Sequence, residues 1–150
     1  MADKNKAAIA KGLEQLLSDT FTLYLKTHNF HWNVTGPVFN MLHELFEDQY
    51  NELWEAVDEI AERIRALGFS VSASFKTFDR LTKIKIPDRA PKANDMIQQL
   101  LDGQQAVAKS AHSLAVLVEK ADDVGTGDLL ARRILAHDKA AWMLQSLLQR

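Results

Sequence analysis

FSVSASFKTFDRLTKIKIPDRAP, residues 69–91, decides the fold. It places Ser70, Ser72, Ser74, Pro87 and Pro91 around one short amphipathic stretch, Phe75 to Leu81, with room for two turns of helix. Connections between the helices of a bundle take about 2–8 residues, so this segment is no hairpin loop. It is long enough to climb back along a bundle, which lets the helix after it start near the end where the helix before it started.

On both sides of this segment the chain reads as long helices. From about Asn5 to Trp32 there is one Gly and no Pro, and Ile9, Leu13, Leu17, Thr20, Tyr24, Thr27 and His31 recur in helical steps. Asn33-Val34-Thr35-Gly36-Pro37 interrupts, with Pro37 suited to the first turn of a second helix. That helix runs from about Val38 to Leu67, with a core stripe of Phe39, Leu42, Phe46, Leu53, Val57, Ile60 and Ile64 and with Gly68 as its C-terminal cap. A third helix spans about Lys92 to Lys120, with Met96, Leu100, Val107, Leu114 and Leu117 inward. After a turn from Ala121 to Gly127, the fourth, with Thr126 as candidate cap and Asp128 in its first turn, continues through Leu130, Ile134, Ala141, Met143 and Leu147 to the end. The expectation is one all-α domain over residues 1–150, a four-helix bundle whose long crossover contains a short helix.

Composition narrows the function. The chain is 47% hydrophobic and 25% charged, enough apolar residues for a substantial core. No apolar run approaches the ~18 residues that cross a bilayer. MADKNKAAIAKG at the start lacks the apolar stretch of a secretory signal, so a soluble cytoplasmic protein is expected. With no Cys, only His and carboxylates remain as strong metal ligands. A net charge of −2 argues against a generally cationic nucleic-acid surface.

The distribution of charge is more telling than its sum. Between Lys26 and Arg63 there is no Lys or Arg, yet Glu44, Glu47, Asp48, Glu52, Glu55, Asp58, Glu59 and Glu62 all lie there, with His28, His31 and His43. Carboxylates crowded on one helix repel one another, and something cationic must relieve them. Arg63, Arg65, Lys83 or Lys85 folding back would do so; a metal ion is the other candidate. At about 100° per residue, His43, Glu47, Tyr50, Trp54 and Asp58 share a face within about 80°, with Glu62 a step aside. This face is too polar for a core and too aromatic for free solvent, which suits a partner surface.

His43 with Glu47 and Asp58 with Glu62 are both i,i+4 pairs able to converge on a cation. The second pair starts 11 residues after Glu47, about 16 Å along the axis, so one ion cannot touch both. Two copies packed about a two-fold axis with antiparallel second helices bring His31, His43 and Glu47 of one chain opposite Asp58 and Glu62 of the other. Nitrogen and carboxylate ligands without thiolate suit Fe(II), Mn(II) or Zn(II). A di-iron centre inside one bundle uses Glu-x-x-His, and no His here has a carboxylate three residues before it.

His31-Trp32-Asn33-Val34-Thr35-Gly36, Leu42-His43-Glu44, Asp58-Glu59-Ile60-Ala61-Glu62-Arg63 and His137-Asp138-Lys139-Ala140-Ala141-Trp142-Met143-Leu144 resemble the miniferritins of the Dps family, over essentially the whole chain. The resemblance implies a ferritin-like four-helix bundle assembled into a hollow dodecamer. It implies a ferroxidase that oxidises Fe(II), preferably with hydrogen peroxide, between subunits and stores Fe(III) mineral inside, with no haem. The implied ligands are His31 and His43 from one subunit and Asp58 and Glu62 from its neighbour, with Glu47 ligating directly or through water where many members carry Asp. His28 is a further outer-shell candidate beside a packing role. Trp32 and Trp54 are candidate radical traps, packing being the alternative, and Asp122, Asp123 and Asp128 are candidates for a three-fold pore, capping being theirs.

Two other function classes stay open: a nucleoid DNA-binding protein with iron oxidation secondary, and a shell whose metal chemistry is lost. For DNA, the segment before the first helix offers only Lys4, Lys6 and Lys11, offset by Asp3, so binding is expected to be weak or absent.

Overall fold

The computed structural model describes residues 1–148 and contains only helices and connections among them. The elements are α1 (Asp3–Asn33), α2 (Phe39–Ala66), the short α3 (Phe75–Leu81), α4 (Ala93–Lys120) and α5 (Val124–Leu147). The fourth long helix therefore stops at Leu147, and an extension over the last two positions lies outside the described residues. No helix of the described chain is long and apolar enough to cross a membrane.

α1 packs along α2 and α4 along α5, while α1 lies across α4 to join the two hairpins. The core between them is built from Ile9, Leu13, Leu23, Phe30, Leu42, Phe46, Leu53, Ile60, Met96, Leu100 and Leu130. α2 and α5 meet only sparsely. Arg–carboxylate pairs bridge that seam: Arg133 grips Glu52 with both terminal nitrogens, and Arg132 pairs with Glu59. The cations that relieve the α2 carboxylates thus come from α5, while Arg63 binds Asp123 and Arg65 binds the Phe69 carbonyl.

The crossover is tied down by α1. Asp19, 1% exposed, accepts from the Lys83 N–H at 2.7 Å, from Thr82 Oγ1 at 3.0 Å and from Gln15 Nε2 at 3.1 Å. Three donors on one buried carboxylate offset its desolvation and fix where the returning chain crosses α1. Ser74 caps α3 by accepting from the Thr77 N–H, and Phe78 packs on Phe21.

The helix ends explain several departures from the sequence reading. α2 closes with Gly68 at φ +97, whose N–H bonds Arg65, while the Phe69 N–H reaches back to Ile64. α4 closes the same way, with Asp122 at φ +55 in the position glycine usually takes. The cap of α5 is Asp123, and Thr126 lies one turn inside, donating to the Asp123 carboxylate from its backbone N–H. The turn is accordingly shorter than the composition suggests. Pro37 sits in the turn before α2, Phe39 at its first residue is 38% exposed, and Met143 is 37% exposed where Leu144 is buried.

Candidate metal centre at the α1–α2 hairpin

The antiparallel turn between α1 and α2 puts the last turn of one helix beside the first turns of the other. His31 and His43 meet there, rings stacked with centroids 3.7 Å apart and planes within 15°. Each ring is held by the other residue's backbone: His31 Nδ1 lies 2.7 Å from the His43 carbonyl, and His43 Nδ1 lies 2.8 Å from the His31 carbonyl. A carbonyl oxygen only accepts, so Nδ1 carries the proton in both rings. In the neutral ring Nε2 then keeps its lone pair, the tautomer a metal ligand needs, with the ring orientation fixed by the main chain.

Around this pair runs a continuous set of rings. His28 stacks on Tyr50 at 3.9 Å, meets His31 edge-on at 5.8 Å and lies 3.9 Å from Trp32. The Tyr24 hydroxyl and His28 Nδ1 are hydrogen-bonded at 2.9 Å, and Tyr24 packs on Trp54 at 5.1 Å. Desolvation among these rings, then the neighbouring His31, hold His28 below the ordinary histidine value, with Glu47 opposing. Desolvation raises Tyr50, and Glu47 and Tyr24 push it further. Glu47 thus puts its negative potential on this cluster while remaining exposed. His28 is more than a surface residue, because it joins the two helices. Its signal was Tyr24, His28 and His31 on one face of α1.

Asp58 and Glu62 are exposed on the same helix as His43, far along its length, and Asp58 edges a shallow hollow with Trp54, Val57 and Ala61. Among the described residues of one chain, no three His, Asp or Glu side chains come together to hold a metal. One chain therefore assembles the histidine half of the expected set and leaves the carboxylates apart. Trp32 and Trp54 are 62% and 56% exposed, each resting one side on a ring of α1.

The three Asp residues of the α4–α5 turn separate. Asp123 is buried and its oxygens take Thr126 and Arg63, at 2.8 Å for the guanidinium. Burial pushes its carboxyl up, and the bonds from Thr126 and Arg63 more than reverse this, holding it below the ordinary value. Asp122 and Asp128 are exposed and share a shallow hollow with Glu119, which sequence reading overlooked. Asp128 also bonds Arg132 at 3.0 Å.

The ferritin-like domain model matches residues 10–150. The chain is 34% identical to the DNA protection during starvation protein 2 of Bacillus anthracis, over 91% of this chain and 93% of that protein. The crystal structure of a Dps protein from Bacillus brevis superposes with a TM-score of 0.94 at 30% identity, covering 99% of this chain and 100% of that one. The Dps protein of Vibrio cholerae, described as a member of a broad superfamily of ferritin-like diiron-carboxylate proteins, gives 0.96 at 29% identity, over 99% and 94%. The chain belongs to the ferritin-like class and, within it, to the Dps family of miniferritins. Membership makes it an iron-storing ferroxidase.

Proposed function

We propose that the stacked His31–His43 pair is one half of an Fe(II)-oxidising site, completed by Asp58 and Glu62 of a second copy across a two-fold axis, in a hollow dodecamer. The observation that carries this is the pair of Nε2 lone pairs, fixed by backbone carbonyls and left without a third ligand in their own chain. A site with too few ligands per chain and an exposed carboxylate pair further along α2 is completed by antiparallel pairing of two α2 helices. Glu47, one turn beyond His43, supplies a carboxylate at the same site, directly or through water.

Iron is the substrate here. Hydrogen peroxide accepts two electrons, so two Fe(II) and two protons with one peroxide give two Fe(III) and two waters, releasing no hydroxyl radical. Trp32 and Trp54, in contact with the rings of α1, are placed to intercept stray one-electron oxidants before they leave the site. Asp122 and Asp128, with Glu119, are the pore candidates that keep exposed carboxylates, whereas Asp123 acts inside the fold. Cytoplasmic residence fits this chemistry. DNA binding is weak in this reading, because Lys4, Lys6 and Lys11 lie on α1 beside Asp3.

Mixed cages test the shared site. Chains carrying His31→Ala and His43→Ala, co-assembled with chains carrying Asp58→Ala and Glu62→Ala, are expected to recover a fraction of the peroxide-driven Fe(II) oxidation that each loses alone. No recovery in cages shown by mass spectrometry to be mixed would sink the shared site.

A further inference from the structure

α1 and α2 run antiparallel in a register visible in their ring contacts: His31 stands beside His43 and Tyr24 beside Tyr50, which sets Phe21 level with Leu53. The shared iron site fixes a second level. With His43 opposite the partner's Glu62 and Glu47 opposite the partner's Asp58, both pairs are centred between Glu52 and Leu53 of α2. The two-fold axis therefore crosses at the height of Phe21. At that height the crossover helix α3 lies on α1, with Phe78 against Phe21 at 4.8 Å. From Phe21 the ring contacts continue through Tyr24 to Trp54, on the face of α2 that the partner covers. About a two-fold axis, an element beside the axis meets its own copy.

α3 has the surface for such a meeting. Phe75, at its first position, is 78% exposed, and beside it opens a hollow of about 780 Å³ with Phe21, Leu25, Phe78, Ile84 and Ile86 in its walls. An apolar surface wider than one side chain needs marks a place where a partner packs. Its charges say which partner. Lys76 and Asp79 stand one turn apart on α3 in the same hollow, both exposed, and neither joins an ion pair among the described residues. One cation and one anion so placed complement the same helix running the other way: in an antiparallel pair of α3 helices, Lys76 faces the partner's Asp79 and Asp79 faces the partner's Lys76. We propose that α3 docks on its own copy across the two-fold axis, with Phe75 of each chain over the hollow of the other and two Lys76–Asp79 pairs flanking the axis. This contact sets the spacing at which the iron site closes. The position of the axis rests on the shared-site reading above; the self-complementary surface of α3 does not.

Charge reversal tests the pairing. Lys76→Glu makes the pair all anionic and Asp79→Lys makes it all cationic. Each variant alone is expected to raise, by at least about tenfold, the concentration at which the cage dissociates, measured by sedimentation, with Fe(II) oxidation falling in step. Both substitutions in one chain should restore the cage, and so should an equal mixture of the two single variants, with native mass spectrometry finding both chains in each particle. Recovery in the mixture separates pairing between chains from a contact within one helix. Where a reversed chain does not fold, the absence of Cys supplies a second measurement: chains carrying Lys76→Cys, co-assembled with chains carrying Asp79→Cys, should form a disulfide between unlike chains on mild oxidation. Single variants that dissociate as the wild type does, a mixture of reversed chains that stays dissociated, or mixed cysteine cages without the bridged pair would overturn the proposal. Failure of the iron reading looks different: rescued cages that assemble fully, yet oxidise Fe(II) no faster than the His31→Ala cage, would remove the shared site and leave the α3 contact in place.

Discussion

The histidines at the α1–α2 hairpin and the histidine inside the α4–α5 hairpin use the same ring in opposite ways. At His31 and His43 one nitrogen is bonded to a carbonyl and the other is left over, in rings at the edge of the bundle. At His137, fully buried, Nδ1 donates to Gln104 and Nε2 receives Arg133 at 3.3 Å, so nothing is left over. A histidine becomes a ligand when a second group fixes its tautomer and no neighbour claims the remaining lone pair. It becomes a structural residue when both nitrogens are claimed. This difference separates the two regions more than burial does, since His31 is itself only 7% exposed.

Exchanging the perturbation between the two regions is the strongest way to break this comparison. His31→Ala should slow Fe(II) oxidation by at least about tenfold, the scale of losing a metal ligand or its support, while the cage still assembles. His137→Ala should leave the oxidation rate per intact cage unchanged and lower stability by about 1–3 kcal/mol, the cost of an unpaired buried acceptor on Gln104. Stopped-flow oxidation and thermal melting of both variants check this. A His137 variant that melts normally and oxidises slowly would reverse the assignment.

Acid sharpens the same contrast through linkage. Burial, followed by the charge of Arg133, pushes His137 down to about 3. In the unfolded chain it titrates near its ordinary value of about 6.5, so between these pH values the unfolded state holds a proton that the folded state lacks. Stability contributed by the neutral ring is then full above about pH 6.5 and falls as pH drops toward 3, by up to about 1.4 kcal/mol per pH unit. Denaturant melts of wild type and His137→Leu across pH 7 to 4 measure it. The variant's curve should be flatter over that window, and parallel curves would show that His137 takes up its proton in the folded chain.

Helix periodicity and the length of residues 69–91 made the architecture legible, because both are local properties of the chain. The face of α2 bearing His43, Tyr50 and Trp54 was legible for the same reason. What sequence could not give were the partners brought in from distant helices. Arg132 stands 73 residues from Glu59 and Arg133 stands 81 from Glu52, so the cations that relieve these carboxylates were out of reach of any local reading. Asp19 beneath the crossover reads as an ordinary polar position in helical sequence, and only the returning chain supplies its donors. Asp122, Asp123 and Asp128 look alike as letters and separate because the cap needs one carboxylate at one place.

That separation supports the smallest effect expected. Asp123→Ala removes the cap of α5 and the partner of Arg63 and should cost roughly 1–2 kcal/mol. Asp128→Asn is milder, since its side chain is 68% exposed and its pair with Arg132 is an i,i+4 surface pair worth at most about 0.5 kcal/mol. Asn keeps the shape and removes the charge, and Arg132 retains Glu59. If exposed carboxylates concentrate Fe(II) at a pore, Asp128→Asn slows iron entry at low Fe(II), the deficit disappears at high Fe(II), and the melting temperature barely moves. Pairing it with Asp122→Asn should deepen the deficit, because the two share one hollow. Asp123→Asn separates charge from capping at the third position: entry that slows only in proportion to lost cage stability assigns it to the fold. Unchanged entry for Asp122→Asn and Asp128→Asn together would leave the turn with no part in iron uptake and return Asp128 to its pair with Arg132.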